Sequence, residues 1–183
     1  LPVDELKSAI ATLRRAEFIY ELSLYPSVEY AFKHPLTQEV ALASLLTERK
    51  RKIHRTLAEA IERQYPDHLD ERAPLLAHHW EEAGEALAAA RWHTRAANGV
   101  GRNDIIAAGY HWVRVRDLLR SSPDDNDATG MGLTACINLL GVAWRAGFAL
   151  DEINSLLQDG QVFADLLGDP RAGLAVGLTY SRA

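Results

Sequence analysis

The sequence contains a single cysteine, Cys136, among 183 residues. The chain therefore cannot form an internal disulfide, and it cannot supply the paired thiolates of a typical structural zinc site. Cys136 falls on an apolar helical stripe, which favours a buried, inert thiol over a nucleophile. Because no export signal is visible at the N-terminus, we expect a reducing, cytoplasmic location.

Long apolar runs and low-complexity tracts are also missing. No run approaches the roughly 18–20 residues that a membrane-spanning helix requires, so we expect no membrane partner. Hydrophobic residues make up 48% of the chain and charged residues 25%, which is ordinary for a globular protein. The start at Leu1 rather than at methionine leads us to expect a fragment of a longer protein.

Signatures of catalysis are absent from the sequence. It has no Gly-x-x-x-x-Gly-Lys-Ser/Thr loop to cradle a phosphate and no Gly-x-Ser-x-Gly nucleophile turn. We interpret Gly99-Val-Gly101 as a turn that ends a helix. The paired carboxylates Glu81-Glu82 and Asp124-Asp125 are typical of solvated groups. We therefore expect no catalytic residue and no cofactor site.

Seven histidines are the remaining candidates for metal ligands. His78 and His79 are adjacent, so they should point to different faces of a helix, whereas His93 could approach one of them from the next helix. No cysteine or carboxylate set completes a first coordination shell. We expect packing or surface histidines and no metal site, and keep as an alternative a metal-dependent enzyme of unknown type around these three.

The first third of the chain changes its hydrophobic period twice. Apolar spacing predicts a helix from Asp4 to Glu17, and β-branched and aromatic runs predict a β-hairpin over about residues 18–33, with its turn at Tyr25-Pro-Ser27. The helical period returns at Pro35. A break near Leu46 to Glu48 predicts two helices, the second ending before Pro66.

The remainder alternates helical segments with short breakers. Helices of about 14–17 residues joined by short loops are typical of stacked helical hairpins, and tetratricopeptide repeats have a period near 34 residues. An irregular helical domain is the alternative. The segments expected to be helical are 70–83, 85–98, 104–119, 133–146, 151–167 and 171–183, and the matches to the repeat pattern are Trp92, Ala96, Ala108, Trp112, Leu140, Gly141, Trp144 and, at the turn, Gly147.

The stretch from Tyr30 to Glu62 resembles a segment of large bacterial signal-transduction ATPases of the AAA/STAND type, which are often fused to class III adenylate or guanylate cyclase domains. The later Leu76-Ala-His-His-Trp80 also looks like this family. Its pattern combines Phe-x-His-x-Leu-x-x-Glu-Val, a Leu-Leu pair, a basic run, a histidine and Ala-x-x-Leu/Ile-Glu. The matching residues are Phe32, His34, Leu36, Glu39, Val40, Leu45, Leu46, Arg49, Arg51, His54, Ala58, Ile61 and Glu62.

The resemblance implies a mainly α fold in two parts. Residues 1–65 would be the C-terminal part of a winged-helix-like module with the β-hairpin. Residues 66–183 would be antiparallel tetratricopeptide-like hairpins, an α-solenoid truncated at the C-terminus. The family motif would be structural at Phe32, His34, Leu36, Glu39 and His54. ATP would bind in a domain upstream of this chain.

An excess of positive charge is also lacking, since the formal net charge is −5. Nucleic-acid binding depends on clustered cations, and the helix before the hairpin, which would be the recognition helix of a winged-helix module, carries as many acidic as basic residues. The strongest local feature is a basic run, which we interpret as a solvated helix face, with contact to the upstream domain, an acidic partner or DNA as alternatives. The run consists of Arg49, Lys50, Arg51, Lys52 and Arg55.

Taken together, these features predict a non-catalytic regulatory or protein-interaction region of a larger ATP-binding signalling protein, such as a nucleotide cyclase or transcriptional regulator. Its expected partners are the upstream nucleotide-binding domain and an unknown protein, peptide or small effector on the repeats. A DNA-binding transcriptional regulator is the first alternative, although the charge pattern makes nucleic acid the weaker expectation.

Overall fold

The structure is a computed structural model that describes residues 2–23, 28–100, 104–120 and 125–181, with the backbone alone for Leu42. Within these ranges the chain is mainly helical and contains one small antiparallel hairpin, as predicted. By internal contacts it divides into two compact units, Leu1–Lys50 and Arg51–Ala183.

The first unit contains the predicted hairpin between two helices. Helix α1 spans Val3–Arg15, strand β1 Ile19–Ser23, strand β2 Glu29–Phe32 and helix α2 Pro35–Ala43; helix α3, Thr47–Gln64, begins in this unit. The register pairs Ile19 with Phe32 and Glu21 with Tyr30, with an irregularity between Glu21 and Ser23. The predicted turn at residues 25–27 lies outside the described residues.

The described residues of this first unit include no buried side chain. Most globular units of this size enclose a core of aliphatic and aromatic residues. Here the apolar side chains expected to form such a core face outward instead. The large apolar residues that are exposed are Val3, Leu6, Leu13, Phe18, Tyr20, Leu22, Val28, Tyr30, Phe32, Leu36, Val40 and Leu46.

Helix α3 joins the two units in sequence. The predicted break before it is confirmed, since α2 ends at Ala43 and α3 begins at Thr47. The division by contacts falls at Lys50, inside α3, whereas the sequence placed the boundary after residue 65. The reason is packing: His54 and Ala58 are buried, so the C-terminal part of α3 belongs with the helices that follow.

The second unit continues from α3 through a short 3-10 helix, Pro66–His68, into six further α-helices. Each helix from α4 to α9 contacts its neighbour in sequence, and α5 also contacts α7, as α7 does α9. Helices two apart thus meet on one side, which is the arrangement of stacked helical hairpins. The helices are α4 (Ala73–Glu82), α5 (Ala86–Val100), α6 (Ile105–Leu119), α7 (Asn126–Ala146), α8 (Leu150–Leu167) and α9 (Pro170–Tyr180).

Helix ends in this unit follow local chemistry. The Asp104 side chain accepts hydrogen bonds from the N–H groups of Ile106 and Ala107, which have no partner within the first turn of α6. Gly147 and Gly168 follow α7 and α8 with φ of 74° and 65°. Because glycine adopts this left-handed conformation without strain, the helices end where the sequence predicted.

Some predicted helix boundaries differ from those of the structure; α1 ends at Arg15 rather than Glu17, and α4 begins at Ala73 rather than Asp70. Helix α7 begins at Asn126 rather than Leu133, because Asp125 caps it by accepting from the N–H of Asp127. Helix α5 ends at Val100, inside the predicted Gly99-Val-Gly101 segment but two residues later than predicted; Gly101 lies outside the described residues. Trp144 matches a large position of the repeat pattern but is 65% exposed.

Close helix crossings explain several small residues. A Cβ atom added at Gly132 of α7 would lie 2.5 Å from the ring of Phe163 on α8. One added at Gly160 of α8 would lie 3.0 Å from Val176 on α9. These glycines let the helices approach closely around an apolar core. Its largest fully buried members are Leu76, Val115, Leu119, Leu139, Leu140, Leu156 and Val176.

Candidate functional site

A groove of about 520 Å³ lies among the helices of the second unit. This volume is within the range of small-molecule and peptide sites, about 300–1,000 Å³. Its lining combines apolar side chains with amides and one cation. It is formed by Ala97, Asn98, Ile105, Ala108, Gly109, Trp112, Ile137, Asn138, Gly141, Val142, Arg145 and Thr179.

The polar side chains of the groove come from α5, α7 and α9. The Asn138 amide donates to the carbonyl oxygen of Thr134 at 2.8 Å, which fixes its orientation. Arg145 is exposed, and its guanidinium carbon lies 6.0 Å from the centroid of the Trp144 ring. An apolar floor with a cation at its edge fits a ligand that has an apolar body and a carboxylate.

A cluster of three histidines joins α3 to α4. The Nδ1 atoms of His54 and His79 lie 3.0 Å apart. The ring centroid of His78 lies 5.8 Å from that of His54 and 5.4 Å from that of His79. Each ring offers one nitrogen atom, and these three atoms lie within 4.8 Å of one another. Adjacent histidines on one helix thus converge on a third histidine from another.

The histidines of this cluster differ in exposure. His54 is buried, His79 half-buried and His78 exposed. Burial lowers the pKa of His79, and the neighbouring His54 and His78 lower it further, whereas Glu82 opposes the change. A lowered pKa keeps the ring neutral near pH 7, which leaves a lone pair on one nitrogen.

His93 is not among the three histidines of that cluster; it lies near enough to His78 for His78 to lower its pKa, but its hydrogen bonds are to other residues. Its Nδ1 atom lies 2.8 Å from Nδ1 of His111 on α6, and its Nε2 atom lies 3.1 Å from Oε2 of Glu81 on α4. Arg114 of α6 also donates to Glu81. The four side chains form a polar network that links three successive helices.

Charges in this network are set by burial and by its hydrogen bonds. Burial acts to raise the pKa of Glu81, but hydrogen bonds from Arg114 and His93 outweigh it, and the net pKa is lowered. Burial lowers the pKa of His93, although Glu81 opposes this, and burial also lowers the pKa of His111. The result is an ionised carboxylate beside two neutral imidazoles, which stabilises the helix packing without requiring a ligand.

A second polar junction is built on Glu62 of α3. Its Oε1 atom accepts hydrogen bonds from the indole N–H groups of Trp80 at 2.8 Å and Trp92 at 2.9 Å. One carboxylate oxygen thereby connects α3, α4 and α5. The sequence matched Trp80 and Glu62 only to a family pattern and Trp92 only to a repeat pattern, so this junction was not predicted.

The basic run is spread over the exposed surface of α3. Arg49, Arg51, Lys52 and Arg55 are exposed and Lys50 is half-buried. Arg55 forms an ion pair with Glu85, which follows α4. In the first unit, Arg14 pairs with Glu21 at 2.7 Å and Lys33 pairs with Glu17. These pairs reduce the positive charge that phosphate contacts would need.

The residues of the predicted structural motif differ in exposure. Phe32, His34, Leu36 and Glu39 are all exposed in the first unit, whereas His54 is buried in the second. Cys136 is buried, as expected, and burial together with the nearby Asp159 raises the pKa of its thiol to about 12. Such a thiol is protonated and unreactive at neutral pH.

The chain matches no protein-family model, and no curated protein or solved structure is significantly similar to it. Among the described helices, none has the combination of length and apolarity needed to cross a bilayer.

Proposed function

We propose that this chain is a non-catalytic regulatory region of a larger signalling protein. In this proposal the first unit docks on another domain of that protein, and the helical hairpins of the second unit bind a protein, peptide or small effector. The resemblance of residues 30–62 to signal-transduction ATPases motivates the choice of a nucleotide-binding domain as the docking partner.

The contrast between the two units carries the proposal. The second unit encloses a continuous apolar core, whereas the described part of the first encloses none and exposes twelve large apolar side chains. A surface with this many exposed apolar residues is more often a binding interface than a surface that remains in contact with solvent. On α2, Leu36 is 68% exposed and Val40 61% exposed, one helical turn apart.

The groove supports the binding part of the proposal. Its lining residues come from α5, α6, α7 and α9 of the stacked hairpins, and helical-repeat proteins use extended concave surfaces to bind partners. Its apolar floor and single cation, Arg145, favour a ligand with a carboxylate near an apolar group. The carboxylate would be recognised by charge and the apolar group by burial.

Measurements on the parent protein test the proposal. Its nucleotide hydrolysis or cyclase output should change when residues 51–183 are deleted, because the effector-binding part is then lost. Leu36→Ser with Val40→Ser should uncouple that output from the effector, and Leu174→Ser on α9, which is also 68% exposed, is the matched control. An output that is unaffected by both the deletion and the double substitution would contradict a regulatory role.

DNA binding is the weaker alternative. The ion pairs Arg14–Glu21 and Lys33–Glu17 neutralise cations on the helix and hairpin that would face DNA in a winged-helix module. A mobility-shift assay at physiological salt should therefore detect no sequence-specific complex. A specific shift abolished by Lys7→Ala would favour the alternative instead.

A further inference from the structure

We propose that His54, His78 and His79 form a binding site for a late first-row divalent metal ion, with Zn²⁺ as the reference ion. The sequence led us to expect no metal in this chain. The geometry points to a site because α3 contributes His54, a residue that sequence reasoning assigned only to a structural motif.

Distances in the cluster are close to those of a bound site. With a zinc–nitrogen bond of about 2.05 Å and tetrahedral angles, neighbouring ligand nitrogens lie about 3.4 Å apart. The Nδ1 atoms of His54 and His79 are 3.0 Å apart, and the three nitrogens lie within 4.8 Å of one another. To bind zinc, the two closest nitrogens must move apart by a few tenths of an ångström. The other nitrogen–nitrogen distances must shorten by about 1.4 Å at most, which small side-chain rotations achieve.

The position of each ring suits its part in the site. His54 is 6% exposed, so packing limits its movement and it provides a fixed ligand. His78 is exposed and can rotate towards the other two, and it leaves the ion open to solvent on one side. Three histidines with one open position form a known zinc arrangement in which water or an incoming ligand supplies the fourth bond.

The imidazole nitrogens of the cluster determine which class of metal ion it would bind. Neutral histidine binds zinc, copper, nickel and iron, whereas magnesium and calcium prefer oxygen ligands. Glu82 lies one helical turn after His79 and contributes negative charge near the cluster. A bound ion would join α3 to α4 and would link the stability of this junction to metal supply.

Binding is measured on the metal-free 183-residue chain by zinc titration calorimetry, with dialysis and elemental analysis for stoichiometry. We expect one zinc per chain, and His78→Gln should weaken binding by at least about tenfold because a ligand is lost. His68→Gln, at an exposed histidine of the 3-10 helix, should bind as the unaltered chain does. His78 is exposed, so its substitution leaves the core intact.

Imidazole NMR signals identify the ligands independently. Zinc should shift the signals of His54, His78 and His79 and leave those of His93 and His111 in place. The proposal is overturned if the unaltered chain binds less than stoichiometric zinc. It is equally overturned if His78→Gln binds with unchanged affinity, or if the shifted signals belong to other histidines.

Discussion

His93 and His111 place their Nδ1 atoms 2.8 Å apart in the interior of the helical unit. With both rings neutral, one proton assignment satisfies every contact of His93. Its Nε2–H donates to Glu81 and its Nδ1 accepts from Nδ1–H of His111. The arrangement fixes one tautomer for each ring and ties α5 to α4 and α6.

Stability should therefore decrease in mild acid. The pKa values of His79, His93 and His111 are all lowered in the folded state, chiefly by burial. The unfolded chain then binds more protons than the folded chain below about pH 6.5. The stabilisation that comes from keeping these three histidines neutral is fully present above that pH. It is lost as the pH falls through their lowered pKa values in the folded state. Thermal unfolding between pH 7.5 and 5 should show a falling Tm.

A single substitution separates the contribution of the histidines to the pH dependence of stability from the contribution of the acidic side chains. His111→Gln should reduce the proton uptake on unfolding by up to about one proton below pH 6.5, because one depressed histidine is removed. The control Asn98→Gln, at an exposed position of α5 that carries no titratable group, should leave the pH dependence unchanged. An identical proton uptake in both variants would show that the buried pair does not titrate as described.

Glu81 should control both the stability of the network and the pKa of His93. Glu81→Gln removes the charge that pairs with Arg114, and we expect a loss of about 1–3 kcal/mol in unfolding free energy. Since Glu81 raises the pKa of His93, NMR titration should show that pKa falling further in the variant. Glu71→Gln, at an exposed position before α4, is the control, and an unchanged His93 titration would contradict the contact.

Glu62 should stabilise the fold because one of its carboxylate oxygens accepts hydrogen bonds from two indole N–H groups. Glu62→Leu leaves the N–H groups of Trp80 and Trp92 without this acceptor and should cost about 1–3 kcal/mol. Glu62→Gln keeps a carbonyl oxygen and should lose less. Chemical denaturation followed by tryptophan fluorescence measures both, with Glu59→Leu on the same helix as the exposed control. Equal stability of the leucine and glutamine variants would refute this role.

The crossing of α7 and α8 should reject any side chain at Gly132. An alanine Cβ there would lie 2.5 Å from the ring of the buried Phe163, so the ring or the helix would have to shift. Gly132→Ala should therefore destabilise the fold by about 1–3 kcal/mol. Gly130→Ala on the same helix meets no atom within 4 Å and should be neutral or stabilising by up to about 1 kcal/mol. Denaturation midpoints that do not separate the two variants would argue against this close packing.

Local elements could be predicted from the sequence because their causes are local. Gly147 and Gly168 end helices through backbone conformations that glycine adopts freely, and Asp104 caps α6 through its own side chain. The start of α7 was missed because Asp125 adds a cap ahead of the apolar stripe on which the prediction relied. Gly99 remains helical because the buried Ala96 and Ala97 hold the last turns of α5 in place.

The candidate sites could not be predicted, because they depend on how distant segments pack. His54 meets His79 across 25 residues, and His93 meets His111 across 18. Helical periodicity places each residue on a face but does not specify which face of another helix it meets. The sequence showed seven histidines; only tertiary packing separates them into a three-histidine cluster, a buried pair and exposed side chains.

The central claim is that the first unit docks on another domain of the parent protein. Hydrogen exchange of residues 2–50, compared between the 183-residue chain and the full-length parent, tests it most directly. We expect slower exchange in α1, α2 and the hairpin of the parent, with little change in α6 to α8. Equal exchange of residues 2–50 in the two proteins would contradict the claim.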